Sequence, residues 1–208
     1  MEKSFTNVYE TCFWGNNNND TYMGSSGPGS ELQYNLDEYI PFIKKWIDTN
    51  NIKSVVDLGC GDFKCGKYIY DDLNVEYTGY DVYKKIIDYH NTNNTNEKYN
   101  FIHLDIFGDK ENIKCAELCI LKDVLQHWKL QDIYRFLDYI IESKKFKYVL
   151  ICNCCNQTHD DVKLNTTGHW RQLSCDYLPL KKYKPKKLLK FKTKEISIIN
   201  INEVICDK

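Results

Sequence analysis

Ser54-Val55-Val56-Asp57-Leu58-Gly59-Cys60-Gly61-Asp62-Phe63 runs from a β-branched apolar stretch through an acid to two glycines one residue apart, then into residues readable as a helix. Only glycine lets backbone come close to a ligand at a tight strand-to-helix turn, where helix amides and the helix dipole add polarity. The stretch therefore predicts a parallel-sheet strand that delivers its carboxyl end to a nucleotide.

Working outward, the pattern of apolar run followed by acid repeats. Val75 to Tyr80 ends at Asp81, Tyr99 to Leu104 ends at Asp105, Leu118 to Leu121 ends at Lys122-Asp123, and a fifth run spans Lys147 to Asn153. Helical periodicity separates them. Leu36, Tyr39, Ile40, Ile43 and Ile47 predict an amphipathic helix from about Leu36 to Thr49 that covers the sheet. Shorter helices are expected at Gly66–Asp72 and Tyr83–His90. Leu130–Ser143 carries Ile133, Phe136, Leu137, Ile140 and Ile141 on one side. Alternating strands and helices predict an α/β fold with a doubly wound, mostly parallel sheet whose ligands sit at the strands' carboxyl ends. Two last strand-like runs, Leu188–Thr193 and Ile196–Ile205, joined by a tight polar turn, predict an antiparallel C-terminal hairpin on the sheet's edge.

A length of 208 residues suits one domain with a real core. Within it, 1–35 reads as an N-terminal arm or lid, 36–153 as the ligand-binding core, and 154–208 as a substrate-side loop with the terminal hairpin. The net charge of −1 marks no global nucleic-acid or membrane binder. The lack of a long apolar segment leads to the expectation of a soluble, cytoplasmic protein with no membrane partner. The abundance of Asn, Lys, Ile and Tyr suggests an AT-rich coding source, a virus or a protist. Ten cysteines without a secretory signal read as free thiols. Cys152, Cys154 and Cys155 have the alternative of a metal site, but no second ligand pair has finger spacing, and no metal is expected. Lys181, Lys182, Lys184, Lys186 and Lys187 read either as phosphate contacts or, at lower cost, as a lysine-protected strand edge. Gly24-Ser25-Ser26-Gly27-Pro28-Gly29-Ser30 has linker composition, while Tyr9 and Trp14 in the same arm argue for docking.

Asp57, Asp81 and Asp105, each at the end of a strand, would lie along one rim. An acid about twenty residues beyond a glycine turn is placed to accept hydrogen bonds from ribose hydroxyls, which selects Asp81. NAD is the first candidate ligand. Against it, the position for the third glycine of a phosphate fingerprint is Lys64, and Asp62 in the loop would repel a pyrophosphate. A cofactor with ribose, a positive centre and no phosphate fits better, and S-adenosyl-L-methionine has that chemistry.

Val55-Val56-Asp57-Leu58-Gly59-Cys60-Gly61 resembles the glycine motif of class I, Rossmann-like S-adenosylmethionine-dependent methyltransferases, and Tyr80-Asp81, Leu104-Asp105 and Lys122-Asp123-Val124-Leu125-Gln126-His127 follow in that family's order. A small single-domain subgroup of uncertain substrate is similar also in Tyr9-Glu10 with Trp14-Gly15, in Ser26–Ser30 and in Gly168-His169-Trp170-Arg171-Gln172-Leu173, so that the arm becomes part of the likeness. The chain departs from the pattern at Cys65, where tryptophan is common, and in the segment before Gly168. The resemblance implies a seven-stranded methyltransferase sheet with S-adenosyl-L-methionine as cofactor. By position it implies cofactor contacts from Asp57, Gly59 and Gly61 at the methionine end, from Asp81 at the ribose, from Asp105 and Ile106 at the adenine, and further cofactor contacts from Cys60, Val82 and Lys122. Taken one at a time, such acids merely cap turns.

Methyl transfer is a displacement that needs alignment and often a proton acceptor. His127, after the fourth strand, is the candidate base, with Asp123 either orienting it or contacting the acceptor; the alternative for His127 is a histidine that packs beside Trp128. Tyr9, Trp14, His169 and Arg171 are the candidate substrate contacts, the last two suited to an anionic or hydroxyl-rich acceptor. These readings lead to a small-molecule or sugar-like (glycan) acceptor, methylated on O or N, with the arm as a lid. RNA or protein methylation through the basic C-terminal segment and a non-catalytic cofactor-binding module are the alternatives.

Overall fold

The structure, a computed structural model, describes residues 1–18, 20–94 and 96–206. Helices α1 (Glu2–Glu10), α2 (Leu32–Asn35) and α3 (Tyr39–Thr49) precede β1 (Ser54–Leu58), α4 (Gly66–Tyr70), β2 (Glu76–Asp81), α5 (Lys84–Asn93) and β3 (Tyr99–His103). Then come β4 (Ala116–Lys122), α6 (Leu130–Ser143), β5 (Phe146–Cys154), β6 (Lys186–Phe191), β7 (Lys194–Asn200) and α7 (Ile201–Cys206). The seven strands form one sheet in the order β3-β2-β1-β4-β5-β7-β6. The chain divides into two compact units, 1–111 and 112–208, each taken by itself below.

In the first unit β1, β2 and β3 are parallel, with Asp57 opposite Gly79 and Asp81 opposite His103. Val55, Val56 and Leu58 are buried, as a two-faced parallel strand requires. Asp57 is the next-to-last residue of β1, Asp81 the last of β2, and Asp105 follows β3 by two residues. The predicted helix at Leu36 starts three residues later, at Tyr39, after the separate turn α2. Tyr39, Ile40, Ile43 and Ile47 are buried whereas Leu36 is 39% exposed, so the apolar stripe holds only from Tyr39 onward. The arm is not a plain linker: it contains α1, and Ser25 within the Gly/Ser run is buried.

In the second unit β4 and β5 are parallel, β7 is antiparallel to β5, and β6 is antiparallel to β7. The predicted edge hairpin is therefore present, and Lys186, Lys187 and Lys190 lie on its outer strand. Its second strand stops at Asn200 rather than Ile205, and Ile201–Cys206 is helix α7. α6 occupies Leu130–Ser143 as predicted, buries its five apolar residues, and ends where Lys144 turns left-handed at φ 52°.

Candidate functional site

The first unit builds its site around the turn after β1. Gly59 and Gly61 take φ of +83° and +53°, conformations that side chains with a Cβ resist. The amides of Gly59 and Cys60 both donate to the Tyr80 carbonyl, at 2.8 and 2.9 Å, which ties the turn to the end of β2. One oxygen of Asp81 accepts from the Gly61 amide and the other from the Tyr83 amide, each at 2.9 Å. A carboxylate has about four lone-pair positions, so two amides do not exhaust it. Burial raises the pKa of Asp81, and the amides of Tyr83, Gly61 and Val82 pull it back only in part. From the other side the Gly61 carbonyl accepts from His90 Nε2 at 2.7 Å, and burial keeps His90 neutral by lowering its pKa.

Asp57 accepts from the Tyr77 hydroxyl at 2.9 Å, and burial and then Asp81 push the Cys60 thiol up, so Cys60 is an inert thiol. Asp105 accepts from the Met1 amino group at 2.6 Å and from the amides of Glu2, Phe107 and Gly108 at 3.1, 3.1 and 3.2 Å. Its burial raises its pKa, but these donors outweigh that and leave it lowered. Val82 lends its carbonyl to His103 Nε2 at 3.0 Å, and Ile106 is buried.

The arm lies on this turn. Ser26 Oγ accepts from the Asp62 amide at 2.9 Å and pairs with the Tyr9 hydroxyl at 2.9 Å, while Ser30 Oγ donates to Asp62 at 3.1 Å. A Cβ on Gly61 would stand 2.4 Å from Ser26 Oγ, so the second glycine of the motif is what admits the arm. Tyr9 is buried, stacks on Tyr83 at 4.5 Å and meets Trp14 edge-on at 5.9 Å. Trp14 thus supports Tyr9 directly. Ser26, Ser30, Tyr77 and His90 were not assigned roles from sequence; Ser26 and Ser30 stand within a motif, but the other two carry no local signal.

The second unit gathers Lys122, Asp123, His127, His169 and Arg171. Asp123 has φ +58° at the end of β4, and one of its oxygens binds Lys122 Nζ at 2.8 Å and Lys194 Nζ. Burial raises its pKa, yet Lys122 and Lys194 outweigh it and keep the carboxyl below its usual range. His127 is buried in a 3-10 turn, Leu125–His127. Its Nδ1 lies 2.9 Å from the His169 carbonyl, which only accepts, so Nδ1 carries the hydrogen; Nε2 faces Gln126 Nε2 at 3.3 Å as acceptor. Burial lowers its pKa to about 4, outweighing the hydrogen bond to His169 and the charge of Asp123, which raise it, while Lys194 and Arg171 add smaller lowering effects.

The loop carrying His169 and Arg171 is held to that turn. Gly168 N donates to the His127 carbonyl at 3.0 Å and Arg171 N to the Gln126 carbonyl at 3.1 Å, while Gln126 Oε1 accepts from Cys154 N at 3.0 Å. His169 is exposed and Arg171 is buried. Lys194, buried against Asp123, was missed in the sequence because it stands among several lysines at a turn.

The class these features define is one of fold: the chain has the fold of class I S-adenosylmethionine-dependent methyltransferases. Among matching solved structures, the methyltransferase domain of bacterial CtHen1 is 14% identical with a TM-score of 0.60, over 79% of this chain and 98% of that one. Human N-acetylserotonin methyltransferase, solved in complex with SAM, is 15% identical with a TM-score of 0.61, over 81% of this chain and 53% of that one. The mitomycin 7-O-methyltransferase MmcR is 14% identical with a TM-score of 0.58, over 84% and 62%. The chain thus spans about half of the human enzyme's length. No family model matches the chain, and no curated protein matches it in sequence.

Proposed function

We propose that the protein is an S-adenosyl-L-methionine-dependent methyltransferase acting on a small-molecule or sugar-like acceptor. The observation that carries this reading is the Asp81 carboxylate, buried at the end of β2 and bonded to the Gly61 amide of a left-handed glycine turn. The donor set fits the cofactor. Asp57, Asp62 and Asp81 surround the turn with carboxylates, which suit an ammonium, a sulfonium and ribose hydroxyls and would repel a pyrophosphate. When bound, S-adenosylmethionine supplies a methyl group on a sulfonium centre.

In this reading Gly59, Cys60 and Gly61 border the methionine portion, Asp57 faces its ammonium, and Asp81 with Val82 takes the ribose. Ile106 borders the adenine, and Asp105 takes its amino group when the Met1 and Glu2 nitrogens that now occupy Oδ2 give way, while Lys122 holds Asp123 in place. His127 is the base. With a pKa near 4 its Nε2 stays unprotonated through neutral pH; it accepts the acceptor's proton once the Gln126 amide that it bonds at 3.3 Å gives way, while ionised Asp123 favours the imidazolium that results. In the first unit Tyr9 and Trp14 are acceptor contacts and the arm serves as a lid over the turn; in the second unit the acceptor contacts are His169 and Arg171.

A small acceptor is favoured over a polymer because Lys182 and Lys187 of the basic segment are engaged by Asp138 and Asp176. A mitomycin 7-O-methyltransferase among the similar structures supports transfer to oxygen. The test is calorimetry with S-adenosylhomocysteine. Binding by the wild type that is weakened in Asp81→Asn upholds the cofactor reading, and absence of binding by the wild type overturns it.

A further inference from the structure

We infer that the second unit holds a site for an oxyanion, a phosphate or carboxylate group carried by the methyl acceptor, with Arg171 as its principal ligand. The identification of this anion as part of an acceptor rests on the methyltransferase reading above; the anion site itself does not. Arg171 is only 5% exposed, and Nε, Nη1 and Nη2 are all buried without a hydrogen-bond partner. A guanidinium carries five N–H donors in a planar fork and no acceptor, and its geometry matches a carboxylate or phosphate face to face. A charged group buried with none of these donors satisfied is the costliest arrangement a side chain can adopt unless an anion completes it.

The acids Asp123 and Glu195 of this unit do not complete it. Asp123 binds Lys122 and Lys194 through Oδ2, and its Oδ1 is itself without a partner, so neither oxygen is bonded to Arg171. Glu195 is taken by Ser174 Oγ, by the Cys175 amide and by Lys187. Consistently, burial alone shifts the guanidinium, to about 10, so it remains a cation at neutral pH.

Arg171 is also fixed in place rather than adrift. Its amide, that of Gly168 and the His127 ring tie the loop to the Leu125–His127 turn. Asn153 stands beside Cys154, whose amide binds the side chain of Gln126, and Gln126 in turn receives the Arg171 amide. Asn153 is 1% exposed, and neither of its side-chain polar atoms has a partner. Asn153 is thus a second unpartnered buried amide of this unit, on β5, while the guanidinium on the tethered loop supplies the charge and the donors of the anion site. The flanking His169 and Trp170 are exposed, so the loop lies at the surface with the guanidinium beneath it.

The chain has two arginines, Arg135 and Arg171. Their side-chain Nε–Hε resonances in a 15N-labelled sample therefore separate the site from the surface, since Arg135 is exposed. Titration with inorganic phosphate and, separately, with acetate is compared with sodium chloride at matched ionic strength. A saturable shift of the Arg171 resonance, with Arg135 unmoved, is expected for at least one anion. Phosphate alone indicates a phosphorylated acceptor and acetate alone a carboxylated one.

An Arg171 resonance that no anion moves, or that chloride moves equally, overturns the proposal. As a second reading, Arg171→Met should raise the melting temperature in phosphate-free buffer and abolish the stabilisation by the effective anion. A lower melting temperature with that stabilisation retained would make Arg171 a structural residue and sink the inference. Calorimetry with S-adenosylhomocysteine on the same sample reports separately on the cofactor, so loss of the anion site and loss of the methyltransferase reading are distinguishable.

Discussion

Acid should destabilise the protein through the buried His127 ring in addition to the buried His90, and His127→Asn removes the first contribution while keeping an N–H for the His169 carbonyl. Folding lowers the His127 pKa from 6.5 to about 4 because burial disfavours the imidazolium. The unfolded chain therefore binds the proton more readily, and the stability contributed by the neutral ring is fully present above pH 6.5 and lost as pH falls towards 4. Linkage with these two values gives a loss of about 1 kcal/mol at pH 5.5 and about 2 to 3 kcal/mol at pH 4.5, relative to neutral pH. The carboxylates that also titrate in acid are common to both proteins and largely cancel in the comparison. Urea unfolding of the wild type and His127→Asn at pH 7.5, 5.5 and 4.5 measures the difference. The wild type should lose ground by these amounts, with unchanged slopes in urea. Parallel stability curves across the three pH values would mean that the ring is protonated in the folded state, and both the burial argument and the role of His127 as a neutral base would fall.

Three further outcomes are expected. Asp81→Asn should weaken S-adenosylhomocysteine about ten- to a hundredfold, the worth of about 1.5–3 kcal/mol in hydrogen bonds to a charged group, read by calorimetry; unchanged affinity would remove Asp81 from the cofactor site. Gly61→Ala forces a side chain into φ +53° and against Ser26, costing about 1–2 kcal/mol for the backbone alone, so a lower melting temperature and faster proteolysis within residues 1–30 are expected. Tyr9→Ala, which removes a buried ring stacked on Tyr83, should cost about 3–5 kcal/mol in urea unfolding, and a cost below about 1 kcal/mol would show that the arm is not seated on the turn.

Much of the sheet was legible because parallel strands buried on both faces read as apolar runs, and Val55-Val56 and Leu118–Leu121 are such runs. α6 was legible because its stripe is complete. The C-terminal run misled because its spacing is ambiguous: Ile196 to Asn200 continues as a strand, but Ile201, Val204 and Ile205 are also spaced three and four apart, and the chain takes the helical option from Ile201. The arm misled for another reason. Composition shows the serines and glycines of 24–30 as a linker, whereas their placement depends on a missing Cβ at Gly61 and a carboxylate at Asp62, the latter 32 residues beyond Ser30.

Arg171 marks where sequence reasoning stops. Its position in Gly168-His169-Trp170-Arg171 was enough to nominate it, yet an arginine there has two ordinary fates, a salt bridge that pins the loop or a solvated surface charge. Neither holds, since the loop is pinned by the backbone of Gly168 and Arg171 and by the ring of His127, and the guanidinium is left buried and unpartnered. A residue that pinned the loop would have its donors spent. Because the fold has fixed the loop without using them, those donors are available for recognition, and the sign of their charge separates an anionic acceptor from the neutral sugar that composition alone would equally permit.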